Sequence, residues 1–118
     1  MELEKQVCSL ELAKRLKELG VKQDSAFYWS EEYYSHFRPE RIGRIILERE
    51  AQEKVPGGDW RCFSAFTVAE LGEMLPPYTK SYRYYGGFDC DLENKPPKRA
   101  DIEADARAKM LIFLKEKE

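Results

Sequence analysis

The stretch CFSAFTVAELGEMLPP, residues 62–77, constrains the fold more tightly than any other part of the chain. Thr67 and Glu70 stand in the S/T-x-x-E relation of a capping box. In that arrangement the threonine hydroxyl accepts from the amide three residues on, and the glutamate carboxylate reaches back to the cap amide. Phe66 before the cap and Leu71 within the helix have the spacing of a hydrophobic staple. Val68, Leu71, Met74 and Leu75 form an apolar stripe at helical spacing, and Pro76-Pro77 ends it. RCFSAF, residues 61–66, runs into this motif as a short strand. The spacing therefore predicts a strand, a sharply started helix and an abrupt stop. Each residue has a folding role, so the stretch is not read as the edge of an active site.

Two further helices are predicted. In SLELAKRLKELG, Ser9 is a candidate N-cap, and Glu11 lies where the helix dipole favours an anion. Leu10, Leu12, Ala13, Leu16 and Leu19 form the apolar face, and Gly20 supplies a left-handed terminator. Lys14, Arg15, Lys17 and Glu18 are expected in solvent. In DIEADARAKMLIFLKEKE, Asp101 is the candidate cap, with Glu103 and Asp105 early and Lys115 and Lys117 late. Its buried face is expected from Ile102, Ala106, Met110, Phe113 and Leu114, widened by Leu111. Ala104 and Ala108 would permit close approach of another element.

Between the helices the aromatic run SAFYW, residues 25–29, reads as a strand that SEEYYSHF either prolongs or leaves. KSYRYYGGFDCDL, residues 80–92, reads as a β-hairpin turning at Gly86-Gly87, with Tyr82 and Tyr84 on one face and Arg83 and Tyr85 on the other. VPGGDW, residues 55–60, and ENKPPKR, residues 93–99, read as loops. Residues 39–48 fit a helix, through Pro39, Ile42, Ile45 and Ile46, or a strand; the pattern leans to helix. The expected fold is α+β, in one domain spanning residues 1–118. Three helices pack on a small, mostly antiparallel sheet containing the hairpin, with strands near 25–30, 61–66, 80–85 and 88–92. The expected core is Leu12, Leu16, Leu19, Phe27, Trp29, Phe66, Leu71, Leu75, Met110, Phe113 and Leu114.

Taken together, FTVAELGEML, EADARAKMLIFL and CSLELAKRLKELGVKQ resemble a family of small uncharacterised proteins encoded by phages and prophages of bacteria. The resemblance covers about half of the chain, its three helices and their flanks. It implies a phage-encoded, cytoplasmic protein with an α+β fold. It implies no activity, cofactor or catalytic residue.

Composition narrows the function classes. The 118 residues suffice for one core without metal or disulfide staples. The formal net charge is −2, and no third of the chain is basic, which weighs against general nucleic-acid binding. Three cysteines, an odd number at no metal-ligand spacing, point to reduced, buried thiols in a cytoplasm; the resemblance implies that the cytoplasm is a bacterial host's. The N-terminus has no signal-type apolar run, and no 18 consecutive apolar residues occur, so no membrane partner is expected.

Candidate chemistry is sparse. His36, the only histidine, would need a cysteine beside it in space to form a nucleophilic pair. Asp89 and Asp91 would share one side of a strand and could hold Mg²⁺, but a solvated outer face is the simpler reading. Zinc is excluded by spacing, and there is no P-loop, dinucleotide fingerprint or nucleophile elbow. No metal or other cofactor is expected. Arg38, Arg41 and Arg44 would share a helix face if residues 39–48 were helical, and that face is read as solvated. The strongest candidate surface is the hairpin, where Lys80 and Arg83 interleave with Tyr82, Tyr84 and Tyr85. Tyrosine and arginine are enriched at protein interfaces, and aromatic rings also stack on unpaired bases. The first reading is a non-enzymatic module that binds a protein partner or itself. The second is a single-stranded nucleic-acid binder, and the third a small metal-dependent enzyme.

Overall fold

The computed structural model describes residues 2–35, 38–47 and 60–118, without the side chains of 32–35, 38–43, 60, 61 and 84. His36 and residues 55–59 of the loop expected over 55–60 lie outside the described residues, and Trp60 opens a strand instead. A short 3-10 turn, Leu3–Lys5, precedes α1 (Leu10–Glu18). There follow β1 (Phe27–Ser35), β2 (Arg38–Leu47), β3 (Trp60–Ser64), α2 (Val68–Met74), β4 (Lys80–Tyr84), β5 (Gly87–Asp91), β6 (Lys98–Ala100) and α3 (Glu103–Glu116). Among the described residues the fold is α+β, with three α-helices and antiparallel strands. The strands divide into two three-stranded sheets, ordered β2-β1-β3 and β4-β5-β6.

Residues 38–47 are a strand, not the helix the apolar spacing favoured. SEEYY prolongs β1 to Ser35, and β2 pairs with it from Phe27↔Leu47 to Ser35↔Arg38, with an irregularity between Tyr33 and Ser35. The β-branched isoleucines at 42, 45 and 46 suit a pleated surface as well as a helix face. The long partner strand decides between them, and a local pattern cannot register it. Arg38, Arg41 and Arg44 therefore share no helix face. On the other side of β1, β3 pairs from Tyr28↔Ser64 to Glu32↔Trp60.

The capping box forms as predicted. The Glu70 amide donates to Thr67 Oγ1 at 3.2 Å, and the Thr67 amide donates to Glu70 Oε1 at 2.9 Å. Phe66 and Leu71 are both buried, as a staple requires. Met74 is exposed instead of completing the stripe, because α2 ends there and Leu75, just past it, is buried. Ser9 starts α1, but its hydroxyl makes no cap bond. Its amide donates instead to Asp105 Oδ1 at 2.7 Å, which ties α1 to α3. Asp101 does not cap α3, whose flanking residue is Ile102.

Helix α3 is the centre of the molecule. It contacts α1, α2, β4, β5 and β6. Its buried residues are Ala104, Ala106, Ala108, Met110 and Leu111. Ala104, Ala108 and Leu111 follow one stripe, while Ala106 and Met110 lie about half a turn away. The helix is thus covered from opposite sides, and its alanines let neighbours approach closely. Leu16, Phe66, Leu71, Leu75 and Met110 are buried as expected; Leu12, Trp29, Phe113 and Leu114 pack on the core from half-buried positions. Leu19 and Phe27 are half-buried and outside this cluster.

The solvated α1 face is only partly so. Lys14 pairs with the buried Glu31 of β1, Lys17 donates to the Cys62 carbonyl at 3.2 Å, and Arg15 reaches Glu116 at 3.0 Å. Lys98 and Arg99, placed in a surface loop by the sequence, belong to β6. They pair as Cys90↔Lys98 and Asp89↔Arg99.

The hairpin turns at Tyr85-Gly86, one residue earlier than the glycine pair suggested. Gly86 takes φ +88°, open space to an added Cβ but a strained backbone for any L side chain. Gly87 is the first residue of β5, and a Cβ there would lie 2.6 Å from the Ala100 carbonyl oxygen. The two glycines therefore serve different ends, turn conformation and strand approach. In urea denaturation, Gly86→Ala is expected to cost about 1 kcal/mol. Gly87→Ala should cost more, roughly 2–3 kcal/mol, because β6 must move.

Candidate functional site

Among the described residues, the turn before β4 and the hairpin itself carry the exposed aromatic side chains. Tyr78 is 90% exposed, Tyr82 46% and Tyr85 99%. Tyr78 also has φ +72°, in a turn closed by the Thr79 amide on the Pro76 carbonyl at 3.2 Å. The Thr79 hydroxyl donates to the same carbonyl at 2.7 Å. Glycine is the residue this position favours. A bulky ring is instead held in a strained conformation and pointed into water. Such outliers are a reason to look for function.

Strand pairing assigns the hairpin's faces. Tyr82↔Asp89 and Asp89↔Arg99 make one row across the sheet, with Lys80↔Asp91 beside it. The other face carries Ser81↔Cys90 and Arg83↔Phe88, and Cys90 there is buried in the core. Arg83 is exposed, with its guanidinium 5.7 Å from the Phe88 ring centroid. Of the five predicted hairpin residues, Lys80, Tyr82, Arg83 and Tyr85 reach solvent; Tyr84 belongs to β4 by its backbone, and its side chain lies outside the description.

Asp89 is not on a solvated face. It is buried, and Arg99 donates to it through Nε at 2.8 Å and Nη2 at 3.4 Å. Asp91 is exposed. With one carboxylate engaged by a guanidinium, the pair is poorly disposed to share a cation. Among the described residues no group of three or more His, Cys, Asp or Glu could hold a metal ion.

A cavity of about 440 Å³ opens where the hairpin, the start of α2 and the start of α3 meet. Val68, Phe88 and Ile102 give it apolar walls, while Lys5, Arg83 and Glu103 bring charge. The sequence carried no sign of it, since its walls come from separate parts of the chain. Glu103 is already engaged: it accepts from the Ser81 hydroxyl and pairs with Arg107 Nη2 at 3.5 Å. Arg107 Nε donates to Ser81 Oγ at 2.9 Å, and Nη1 donates to the Val68 carbonyl at 2.9 Å. Gly72 makes the room, because a Cβ there would collide with Nη1 of Arg107. Arg107 thereby holds α2 and β4 against α3.

The Cys8 and Cys90 thiols are poor nucleophiles. Burial pushes Cys8 up to about 12 and Cys90 up to about 11. Cys62 is half-buried. Among the described residues no helix is long and apolar enough to cross a membrane.

Two outcomes follow from these contacts. Glycine to alanine inside a helix ordinarily stabilises by roughly 0.5–1 kcal/mol. Gly72→Ala should return less than that, because the guanidinium end of Arg107 must shift aside and its bond to the Val68 carbonyl is strained or lost. In an Arg107→Ala background the full gain should return, and a double-mutant cycle reads the difference as a coupling. For Cys8 and Cys90, a folded pKa above the ordinary thiol value of 9.0 means their contribution is full below pH 9. It is lost as pH rises towards 11 and 12. Between pH 8 and 10.5, Cys8→Ala should lose less stability than the native chain, by up to about 1.4 kcal/mol per pH unit above 9.

No family model matches the chain, and no curated protein and no solved structure matches it.

Proposed function

We propose that the chain is a protein-binding module of a phage or prophage, acting in the bacterial cytoplasm without catalytic chemistry of its own. The phage origin rests on the resemblance of the three helical segments. The binding role rests on one observation: Tyr78, Tyr82 and Tyr85 stand exposed along a single turn and hairpin, with Tyr78 in a strained backbone. Exposed aromatic side chains beside arginine are the usual anchors of protein interfaces. The nearby thiols are buried and hard to ionise, and Asp89 is committed to Arg99.

Single-stranded nucleic acid is the second reading, favoured by Lys80 and Arg83 beside exposed rings. It ranks lower because the exposed Asp91 faces Lys80 across the hairpin, where a phosphate backbone would meet a carboxylate.

A photoreactive benzoylphenylalanine at position 85, irradiated in bacterial cytosol, should form protein adducts. The same group at position 93, in the β5–β6 loop, should not. Tyr82→Ser with Arg83→Glu should remove the adducts while changing stability by no more than about 0.5 kcal/mol per site, as surface changes do. Labelled oligonucleotides bound at low salt and released as salt rises would favour the second reading instead.

A further inference from the structure

The β4-β5-β6 sheet leaves β4 at its edge. The two-residue turn makes Tyr84↔Gly87 a hydrogen-bonded pair, so by alternation Tyr82 and Lys80 also bond towards β5. Ser81 and Arg83 then turn their backbone N–H and C=O groups to the open edge. Among the described residues no backbone group from another element takes them. An open edge of this kind is a template for a further strand.

The edge is complementary to itself. Two antiparallel copies related by a two-fold axis set outward groups against outward groups only if the axis passes through a residue, not between two. Centred on Tyr82, the register pairs Ser81 with Arg83 and Lys80 with Tyr84 of the other copy, so all five residues of β4 take part. Centred one residue later, Arg83 would meet its own counterpart. Centred one residue earlier, Arg83 and Tyr84 would pair beyond the strand.

In the register centred on Tyr82 no cation faces a cation. Lys80, the lysine of this edge, has Asp91 beside it in its own sheet. Arg83 would lie opposite Ser81, whose hydroxyl donates to Glu103. The exposed tyrosines follow the same symmetry. Tyr82 would meet its counterpart at a non-hydrogen-bonded position, where side chains come closest and aromatic pairs stabilise. Carried past the strand, the register sets Tyr85 opposite Thr79 and Gly86 opposite Tyr78. Rings that are 90%, 46% and 99% exposed in one copy thus come to the seam between two. A foreign segment would account for the open edge, but not for tyrosines placed at the middle and both ends of it.

We infer that two copies of the chain join β4 to β4 about a two-fold axis at Tyr82, so that their three-stranded sheets continue into one. The backbone of Ser81 in each copy bonds to Arg83 of the other, and the two Tyr82 rings pack across the axis. The inference rests on the protein-binding reading and names the partner as a second copy.

The test is analytical ultracentrifugation of the full chain over a range of concentrations, with amide hydrogen exchange on the same samples. The pairing is short, so a weak dimer whose population rises with concentration is expected. Exchange at the Ser81 and Arg83 amides should slow by at least about tenfold as the dimer forms, a readout that needs no variant. Tyr82→Lys sets like charges across the axis in place of two rings and should weaken the dimer by about tenfold. With oxidised glutathione, Tyr82→Cys should cross-link to its counterpart, because directly opposite non-hydrogen-bonded residues have Cα atoms about 4.5 Å apart, within disulfide reach. Lys80→Cys should not, since its counterpart lies four residues along the pair, about 13 Å away. A chain that stays monomeric at every concentration overturns the inference. Photo-cross-linking at position 85 then separates the two readings: adducts with other proteins leave protein binding standing, and their absence removes it as well. A dimer whose Ser81 and Arg83 amides exchange unchanged overturns the edge. Cross-linking through position 80 instead of 82 overturns the register.

Discussion

The guanidinium of Arg107 ties α2 and β4 to α3 at a junction that the apolar core also holds together. It donates to the Val68 carbonyl in α2 and to the Ser81 hydroxyl in β4, and it pairs with Glu103 on its own helix. Ser81 in turn donates to Glu103, so each polar group in the cluster has a partner. A half-buried charge is tolerable only when its hydrogen bonds are made, and a partly satisfied cluster costs more than an apolar one. The cavity beside this cluster and the attitude of β4 both depend on it. Gly72 is the steric condition, since a methyl group there would occupy the guanidinium's place.

Around that junction the packing is governed by small residues on α3. Ala104, Ala106 and Ala108 are fully buried and lie on more than one side of the helix. Alanine loses almost no side-chain entropy on burial, and it lets backbones approach closely. The N-terminal segment is drawn in as well. The Cys8 amide donates to the Phe66 carbonyl at 2.9 Å, and Trp29 Nε1 donates to the Cys8 carbonyl at 2.8 Å. With the Ser9–Asp105 bond, these contacts tie the start of α1 to both the first sheet and α3. The β4–β5 hairpin has its inner face held by Cys90 and Arg107 and its turn in solvent.

Legibility in the sequence tracked the range of the interaction. The capping box, the staple and the left-handed Gly20 involve residues within one or two turns of one another, and all appear as read. The misreadings share a cause. Residues 38–47 pair with β1, Asp89 is covered by Arg99 from β6, and the amide of Ser9 is bonded by a residue 96 positions away. In each, a local preference was weak or divided, and a distant partner resolved it. Of the candidate site, the tyrosines and cations of the hairpin were visible as a composition. The cavity was not, because its walls come from separate segments.

What the linear order of residues already settled is the presence of the described helices, the capped start of α2, the hairpin and the α+β class, since capping, turn chemistry and periodicity act over a few residues. Chain packing alone chose two sheets over one, strand over helix at residues 38–47, and a buried rather than solvated Asp89. It also placed Arg107, Ser81 and Glu103 together and left one edge of β4 open. Those outcomes turn on desolvation and on hydrogen-bond partners far away in the chain. No window of neighbouring residues contains that information.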